Sequence, residues 1–332
     1  MNTSVQPQQS AAGAAGSSSL AKVISQRLAI SGLFLALIAL VAIASFISDA
    51  FLNPFNLINV MRQVALYGIV SVGLTFVILT AGIDLSVGSI VGVVAVATAT
   101  MLNAGIAVPV VILAAVALGL CFGLINGVGV AWIQIPPFIM TLGAMVMLRG
   151  LALTLSDGRP IDVQNVTSEF AMIGRGNLAG VPIAVWIFLL IAAVAFFVLR
   201  YTAFGRNIYA VGSNREAARL SGINVTRVLV GVYAISGLLA GLSAVIFVSR
   251  LTVGEPTAGT GLELEAIAIT VIGGASLFGG VGGVMGTVIG ACILAVLANI
   301  MNLVGISPFT QQIVKGAIII IAVCFEVLRR RR

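Results

Sequence analysis

The chain has 332 residues, of which 60% are hydrophobic and only 8% charged, against roughly 25% charged in an ordinary soluble domain. So much apolar surface cannot be hidden in a water-facing globule. Its layout in continuous runs of about 20 residues, rather than alternating short strands, excludes a membrane β-barrel. There is no histidine, the three cysteines lie inside apolar runs and the formal net charge is +7, so nothing points to a disulfide framework, a metal site or His-based catalysis. The two lysines, Lys22 and Lys315, lie outside any G-x-x-x-x-G-K-[ST] pattern, which leaves the chain without a P-loop of its own.

In chain order, residues 1–27 are rich in Gln, Ala, Gly and Ser and read as a disordered cytoplasmic tail. No basic stretch precedes an early apolar core, so the tail is not a signal peptide. Residues 28–332 read as a single all-α, polytopic transmembrane domain. Ten spans are predicted, at about 28–48, 63–81, 86–103, 108–131, 137–155, 182–199, 228–248, 264–281, 284–301 and 309–327. The longer polar connections are 156–181 and 200–227.

Basic residues set the orientation. Arg200, Arg206, Arg215, Arg219 and Arg227, the run Arg329–Arg332, and Lys22 with Arg27 share one side if the number of spans is even. The other side collects five arginines and most of the acids. The positive-inside rule then puts both termini and the 200–227 loop in the cytoplasm. The basic balance thus reads as topology, with no nucleic-acid partner implied.

Three landmarks recur in the same order. Thr80-Ala81-Gly82 returns as Thr257-Ala258-Gly259, each followed by an acid, Asp84 and Glu263. Asn126 precedes Pro137-Phe138 as Asn299 precedes Pro308-Phe309. With five spans between the two TAG turns, the halves, about 60–155 and 235–330, are inverted repeats, an architecture of transporters whose path runs between broken helices.

Asp84 is the one charged residue between Gln63 and Leu148. After the break at Gly82, Asp84 or Ser86 can cap the next helix. The same position can also line or gate a polar path, because ionisable groups at membrane depth are functional candidates. Both readings stay open. Ser86, Ser89, Asn126, Thr257, Glu263 and Asn299 are candidate path or gate residues on the same ground, and Thr260 with Glu263 fits a capping box. Glycines at G-x-x-x-G spacing (119/123/127, 282/286/290, 88/92 and 237/241) predict close helix packing.

The 200–227 loop carries a short extramembrane helix. Ser213 and Glu216 fit a capping box, Ala217, Ala218 and Leu220 favour helix, and Gly222 suits a stop. About two turns are too short to stand alone, so this helix needs a docking partner.

Glu216-Ala217-Ala218-x-x-x-Gly222 resembles the E-A-A-x-x-x-G loop of ATP-binding-cassette (ABC) importer permeases. Gly82-Ile83-Asp84-Leu85-Ser86-Val87-Gly88-Ser89 and Pro256-Thr257-Ala258-Gly259-Thr260-Gly261 resemble the ribose-type sugar permeases, over nearly the whole chain after residue 28. The resemblance implies a bacterial inner-membrane permease that imports a monosaccharide, pairs with a second copy of itself and performs no bond chemistry. It also implies two partners, a separate ABC ATPase subunit with duplicated cassettes, which binds the ATP, and a periplasmic sugar-binding protein. Ser213, Glu216, Ala217, Ala218 and Gly222 would then contact the ATPase. The alternatives are a secondary active transporter, for which only Asp84 and Lys315 lie deep enough to couple ions, or an ABC permease for another solute such as a nucleoside. A passive scaffold would need neither the repeat nor the docking helix.

Overall fold

The computed structural model describes residues 31–164 and 166–330, so the predicted 1–27 tail lies outside the described residues. Among them are thirteen helices and two antiparallel ladders of two residues per strand. Helix α1 (Ser31–Ile47) leads to α2 (Pro54–Leu79). The Asn53 side chain accepts from Phe55 N at 2.9 Å and Pro54 fills the first helical position, both strong start signals. They carry α2 upstream of the expected start at 63, so residues 54–62 are helical too. Helices α3 (Val87–Asn103), α4 (Val108–Ala131) and α5 (Pro137–Leu155) fall where the apolar runs place them.

The 156–181 connection is more ordered than its polarity suggests. It holds β1 (Ile161–Asp162), α6 (Ser168–Arg175), β2 (Asn177–Leu178) and β3 (Val181–Pro182). Strand β2 pairs with β3 as a hairpin, and β1 pairs with β4 (Val253–Gly254) far along the chain. Helix α6 is pinned to the following bundle through Ser249 Oγ, which receives Gly174 N at 2.8 Å and donates to Phe170 O. After α7 (Ile183–Tyr201) come α8 (Ala203–Ser213), α9 (Arg215–Leu220), α10 (Val225–Leu251), α11 (Leu262–Ile272), α12 (Val284–Leu303) and α13 (Pro308–Arg330).

Helices α2, α4, α5, α7, α10 and α12 are long and apolar enough to cross a bilayer, with α1, α3 and the first part of α13 shorter apolar helices. The protein is an all-α polytopic membrane protein. The predicted span 264–281 needs correction, because α11 stops at Ile272 after eleven residues. Gly273 sits against the backbone of Gly286, Gly274 takes φ +85°, and the chain folds into a turn closed by Ser276 N donating to Val281 O at 2.9 Å.

Helices α2 and α10 form the buried centre, whereas α4, α5 and α7 turn most of their surface outward. The tightest seam joins α4 to α10, the most extensive helix pair in the fold. A Cβ on Gly119 would lie 2.8 Å from Gly241 Cα, one on Gly123 3.1 Å from Gly237 Cα, and one on Gly127 2.8 Å from Val230 Cα. The small-residue spacing in both helices therefore serves backbone contact, as expected.

Candidate functional site

The first TAG turn ends α2. Thr80 Oγ1 donates to Val77 O at 2.8 Å, and Ala81 adopts a left-handed φ of 59°. Asp84 then lies fully buried and, among the described residues, without a cationic partner. Its Oδ1 accepts from Ser86 N (3.0 Å) and Ser86 Oγ (2.6 Å), and its Oδ2 is 2.9 Å from Ser236 Oγ on α10. Asn126 Nδ2 of α4 donates to Ser86 Oγ at 2.7 Å. Tyr233 of α10 and Thr141 of α5 both donate to Ile83 O, at 3.1 and 3.3 Å. Helices α5 and α10 thus converge on two consecutive residues, Ile83 and Asp84, and α4 joins them through Ser86. This clasp differs from the expected cap. Ser86 holds the N-cap position of α3 without a side-chain bond to the first turn, and Asp84 satisfies Ser86 itself rather than the first turn of α3. Ser89, one turn on, is buried beside this network but not joined to it, and neither Ser89 Oγ nor Asn126 Oδ1 has a partner among the described residues.

The second TAG turn is built by the same device with a different acid. Glu255 Oε1 accepts from Thr257 N (3.2 Å) and Thr257 Oγ1 (2.6 Å), as Asp84 does from Ser86. Arg149 of α5 donates to Pro256 O (2.6 Å) and Ala258 O (2.9 Å), pinning the turn against α3. The expected Thr260–Glu263 capping box is absent. Gly261, at φ +80°, takes the cap position, and Thr260 Oγ1 turns back to Thr257 O at 2.7 Å. Glu263 instead abuts Gly88 of α3, and its Oε2 has no partner among the described residues.

In the 200–227 loop the cap is Asn214, whose side chain accepts from Ala217 N at 2.9 Å. Ser213 is the last residue of α8, one position too early to reach that donor, so the predicted Ser213–Glu216 box does not form. Glu216 makes a two-pronged ion pair with Arg219 instead, at 3.0 and 2.5 Å. Hydrogen bonding from Arg219 holds the Glu216 carboxyl below its ordinary value. Gly222, at φ +83°, ends α9 in a Schellman motif: its N–H reaches Arg219 O, and Ile223 N reaches Ala218 O, both at 3.0 Å. Helix α8 links this exposed helix to the bundle. Its Gly212 abuts Leu79 O and its Tyr209 hydroxyl donates to Gly282 O at 2.9 Å, while Gly280 N donates to Leu79 O, also at 2.9 Å.

A cavity of about 370 Å³ opens between α2, α10 and α12. Asn56, Asn59 and Gln63 line it from α2, and Asn299 and Asn302 from α12, with Tyr67 and Arg250 at its edge. Asn56 and Asn299 exchange both amide bonds, at 2.9 and 2.7 Å. Gln311 of α13 fixes Asn302 at 2.7 Å. A second cavity of about 120 Å³, bounded by Thr260 and Glu265, shares Leu66 and Tyr67 with the first. Of the sequence-selected residues, only Asn299 reaches the larger chamber. Asn56, Asn59, Gln63 and Tyr67 were not singled out, although their spacing of three, four and four residues draws a polar stripe down one helix face.

A helical membrane protein with broken helices, a polar chamber among its spans and a capped helix outside them has the build of a membrane permease. The family model described as "Branched-chain amino acid transport system / permease component" matches residues 56–323, and the chain belongs to that family. The ribose import permease protein of Haemophilus influenzae is 45% identical over 292 residues, covering 87% of this chain and 90% of the relative. That of Escherichia coli K12 is 44% identical over 294 residues, covering 88% and 92%. The xylose transport system permease protein of Escherichia coli K12 is 36% identical, covering 90% and 92%. No solved structure gives a significant match.

Proposed function

We propose that this chain is the membrane-spanning subunit of an ABC importer that carries a ribose-like monosaccharide into the cytoplasm. The observation that carries the reading is the 44–45% identity to ribose import permeases over nearly nine-tenths of the chain. The partners are an ATPase subunit that binds the ATP, a periplasmic sugar-binding protein and a second copy of this chain, in a bacterial inner membrane.

Helix α9 is the ATPase contact, with Glu216, Ala217, Ala218 and Gly222 on or just beyond it and Ser213 at its root. Closure of the ATPases would move α9, and with it α8, which abuts Leu79 at the end of α2 and the 279–282 turn. Leu79 lies five residues before Asp84, so the movement reaches the clasp directly. Asp84, Ser86, Ser89 and Asn126 then act as one gate element. Thr257 and Glu263 are its counterparts at the other TAG turn, and Asn299 lies in the chamber between. Two four-helix halves, α2–α5 and α10–α13, support an inverted repeat with ten membrane crossings, one of them made by the short α11 together with the turn that follows it. In each half a TAG turn follows the first helix, the third helix carries glycines at G-x-x-x-G spacing, and the fourth begins Pro-Phe. Tilting one half against the other would expose the path to alternate sides.

Reconstituted with its ATPase and binding protein, the wild-type permease should accumulate a neutral pentose only while ATP is hydrolysed. Branched-chain amino acids, the solutes in the family's description, should not be taken up. Glu216→Lys reverses the charge on α9, and Gly222→Leu forces a side chain into a left-handed backbone at a cost of roughly 1–2 kcal/mol. Each should cut sugar uptake at least tenfold while hydrolysis continues and membrane insertion is normal. Coupled uptake at wild-type rate in both variants would remove α9 from the ATPase contact.

Topology is checked separately. Reporter fusions after Arg206 and at the C-terminus should score cytoplasmic, and one in the 156–181 connection periplasmic. A periplasmic C-terminus would mean an odd number of crossings and would end the inverted relation of the TAG turns.

A further inference from the structure

The chamber between α2, α10 and α12 is chemically unlike everything around it. Five carboxamides converge on one cavity in a bundle whose core is otherwise mostly aliphatic, with hydroxyls as the commonest buried polar groups. Its volume of about 370 Å³ lies within the roughly 300–1,000 Å³ of small-molecule sites. Among the described residues no carboxylate lines it, and Arg250 supplies the one formal charge.

The carboxamides divide by their bonding. Asn56 and Asn299 are spent on each other and tie α2 to α12, and Asn302 is held by Gln311. The Asn59 side chain has no protein partner among the described residues, and Gln63 lies one turn further along the same face, beside the Tyr67 hydroxyl. A free carboxamide offers both a donor and an acceptor. Sugar hydroxyls need that pairing, each being donor and acceptor at once. A cation would want carboxylates, which are absent, and an anion would be served by one guanidinium among many amides. Tyr67 and Leu66 stand between this chamber and the smaller cavity beside Thr260 and Glu265.

We infer that this chamber is a station for an uncharged polyol within the permease, with Asn59 and Gln63 as its direct contacts and Tyr67 as the partition to the inner cavity. The inference rests on the sugar-import reading but goes beyond it, since it assigns residues and a ligand chemistry to a place no resemblance marks. Such a site needs only weak hold, because a carrier that binds its cargo tightly cannot release it.

The test uses the complete importer in proteoliposomes with its sugar-loaded binding protein, reading sugar uptake and ATP hydrolysis together. Wild type is first offered ribose, xylose and a sugar acid. Transport of no neutral sugar would sink the sugar-import reading itself, and preference for the acid would overturn the neutral-polyol assignment alone. If a neutral sugar is moved, Asn59→Leu and Gln63→Leu should each lower its uptake per ATP at least fivefold, with the assembled complex and its basal hydrolysis unchanged. Asn59→Gln should restore most of that loss. Should either leucine variant fail to assemble, Asn59→Asp and Gln63→Glu decide instead, since they keep shape but remove the donor; the same fivefold loss is expected. Uptake per ATP within twofold of wild type in the deciding pair would overturn the assignment while leaving the import reading standing.

Discussion

Gly237→Leu should leave no folded permease to purify. Gly237 lies in the middle of the α4–α10 seam, where a Cβ would already stand 2.7 Å from both Gly123 Cα and Gly123 N. Both obstructing atoms are backbone, so no rotamer change relieves the clash and the helices must separate. Overpacking a tight core ordinarily costs about 1–3 kcal/mol for a few added atoms. Here a whole isobutyl group would pry apart the most extensive helix pair in the fold. In membranes such pairs are held by packing rather than by expulsion of water, so separation forfeits the attraction itself. The milder Gly237→Ala should fold but melt several degrees lower in detergent. Gly143→Ala is the control, because a Cβ there has nothing within 4 Å. Detergent melting and size-exclusion profiles of the three variants give the measurement. A monodisperse Gly237→Leu protein with wild-type melting would show that the seam tolerates separation.

Asp84→Leu is expected to be nearly as damaging, and Asp84→Asn mild in stability. Leucine leaves Ser86 N–H, Ser86 Oγ and Ser236 Oγ without their acceptor in a fully buried place. Each buried polar group left unpaired costs about 1–3 kcal/mol, so the total is several kcal/mol. Asparagine keeps the shape. Its oxygen can accept both bonds from Ser86, and its amide can donate to the Ser236 hydroxyl, which turns to receive it. Asp84→Asn should therefore stay within about 1–2 kcal/mol of wild type in melting measurements, the range of a single hydrogen bond exchanged. If Asp84→Asn unfolds like Asp84→Leu, the clasp requires charge and not only geometry. Uptake by a stable Asp84→Asn importer then separates the two roles. Wild-type uptake would leave the residue a clasp alone, and a sharp loss would give the carboxyl a part in transport.

Most of the helix positions were legible because the apolar runs are long and end at strong punctuation. The α4 and α5 runs end at Trp132 and Ser156 and begin beside prolines, and their predicted limits coincide with the helices found. The misjudged span over 264–281 had an equally apolar composition. Its glycines at 273, 274, 279 and 280 were the warning, since hydropathy averages over them while the backbone does not. The site was legible in part. The TAG turns and Asn126 stood out through repetition and isolation, but which acid grips which hydroxyl depends on backbone direction, and Glu255 rather than Glu263 does at the second turn what Asp84 does at the first. The chamber was missed because Asn56 and Asn59 precede the run taken as the span, in a stretch whose polarity reads as a connecting loop. Only the helix start at Asn53 and Pro54 puts them in register with Gln63 and Tyr67.

The shortness of α11 bears on how the chain is made. Eleven residues at 1.5 Å each give about 16 Å of helix, roughly half the 30 Å hydrocarbon core. The insertion machinery weighs segments by apolar length, and this one is too short to be released into lipid by itself. The turn after it exposes backbone groups that lipid cannot satisfy unless protein surrounds them. Gly273 and Gly290 supply that surrounding by seating α11 against α12. The segment is therefore expected to enter the bilayer only once α12 is available, the two as a pair. A single cysteine placed in α11 should stay open to an aqueous maleimide in nascent chains whose α12 is still inside the ribosome, and become protected once α12 has emerged.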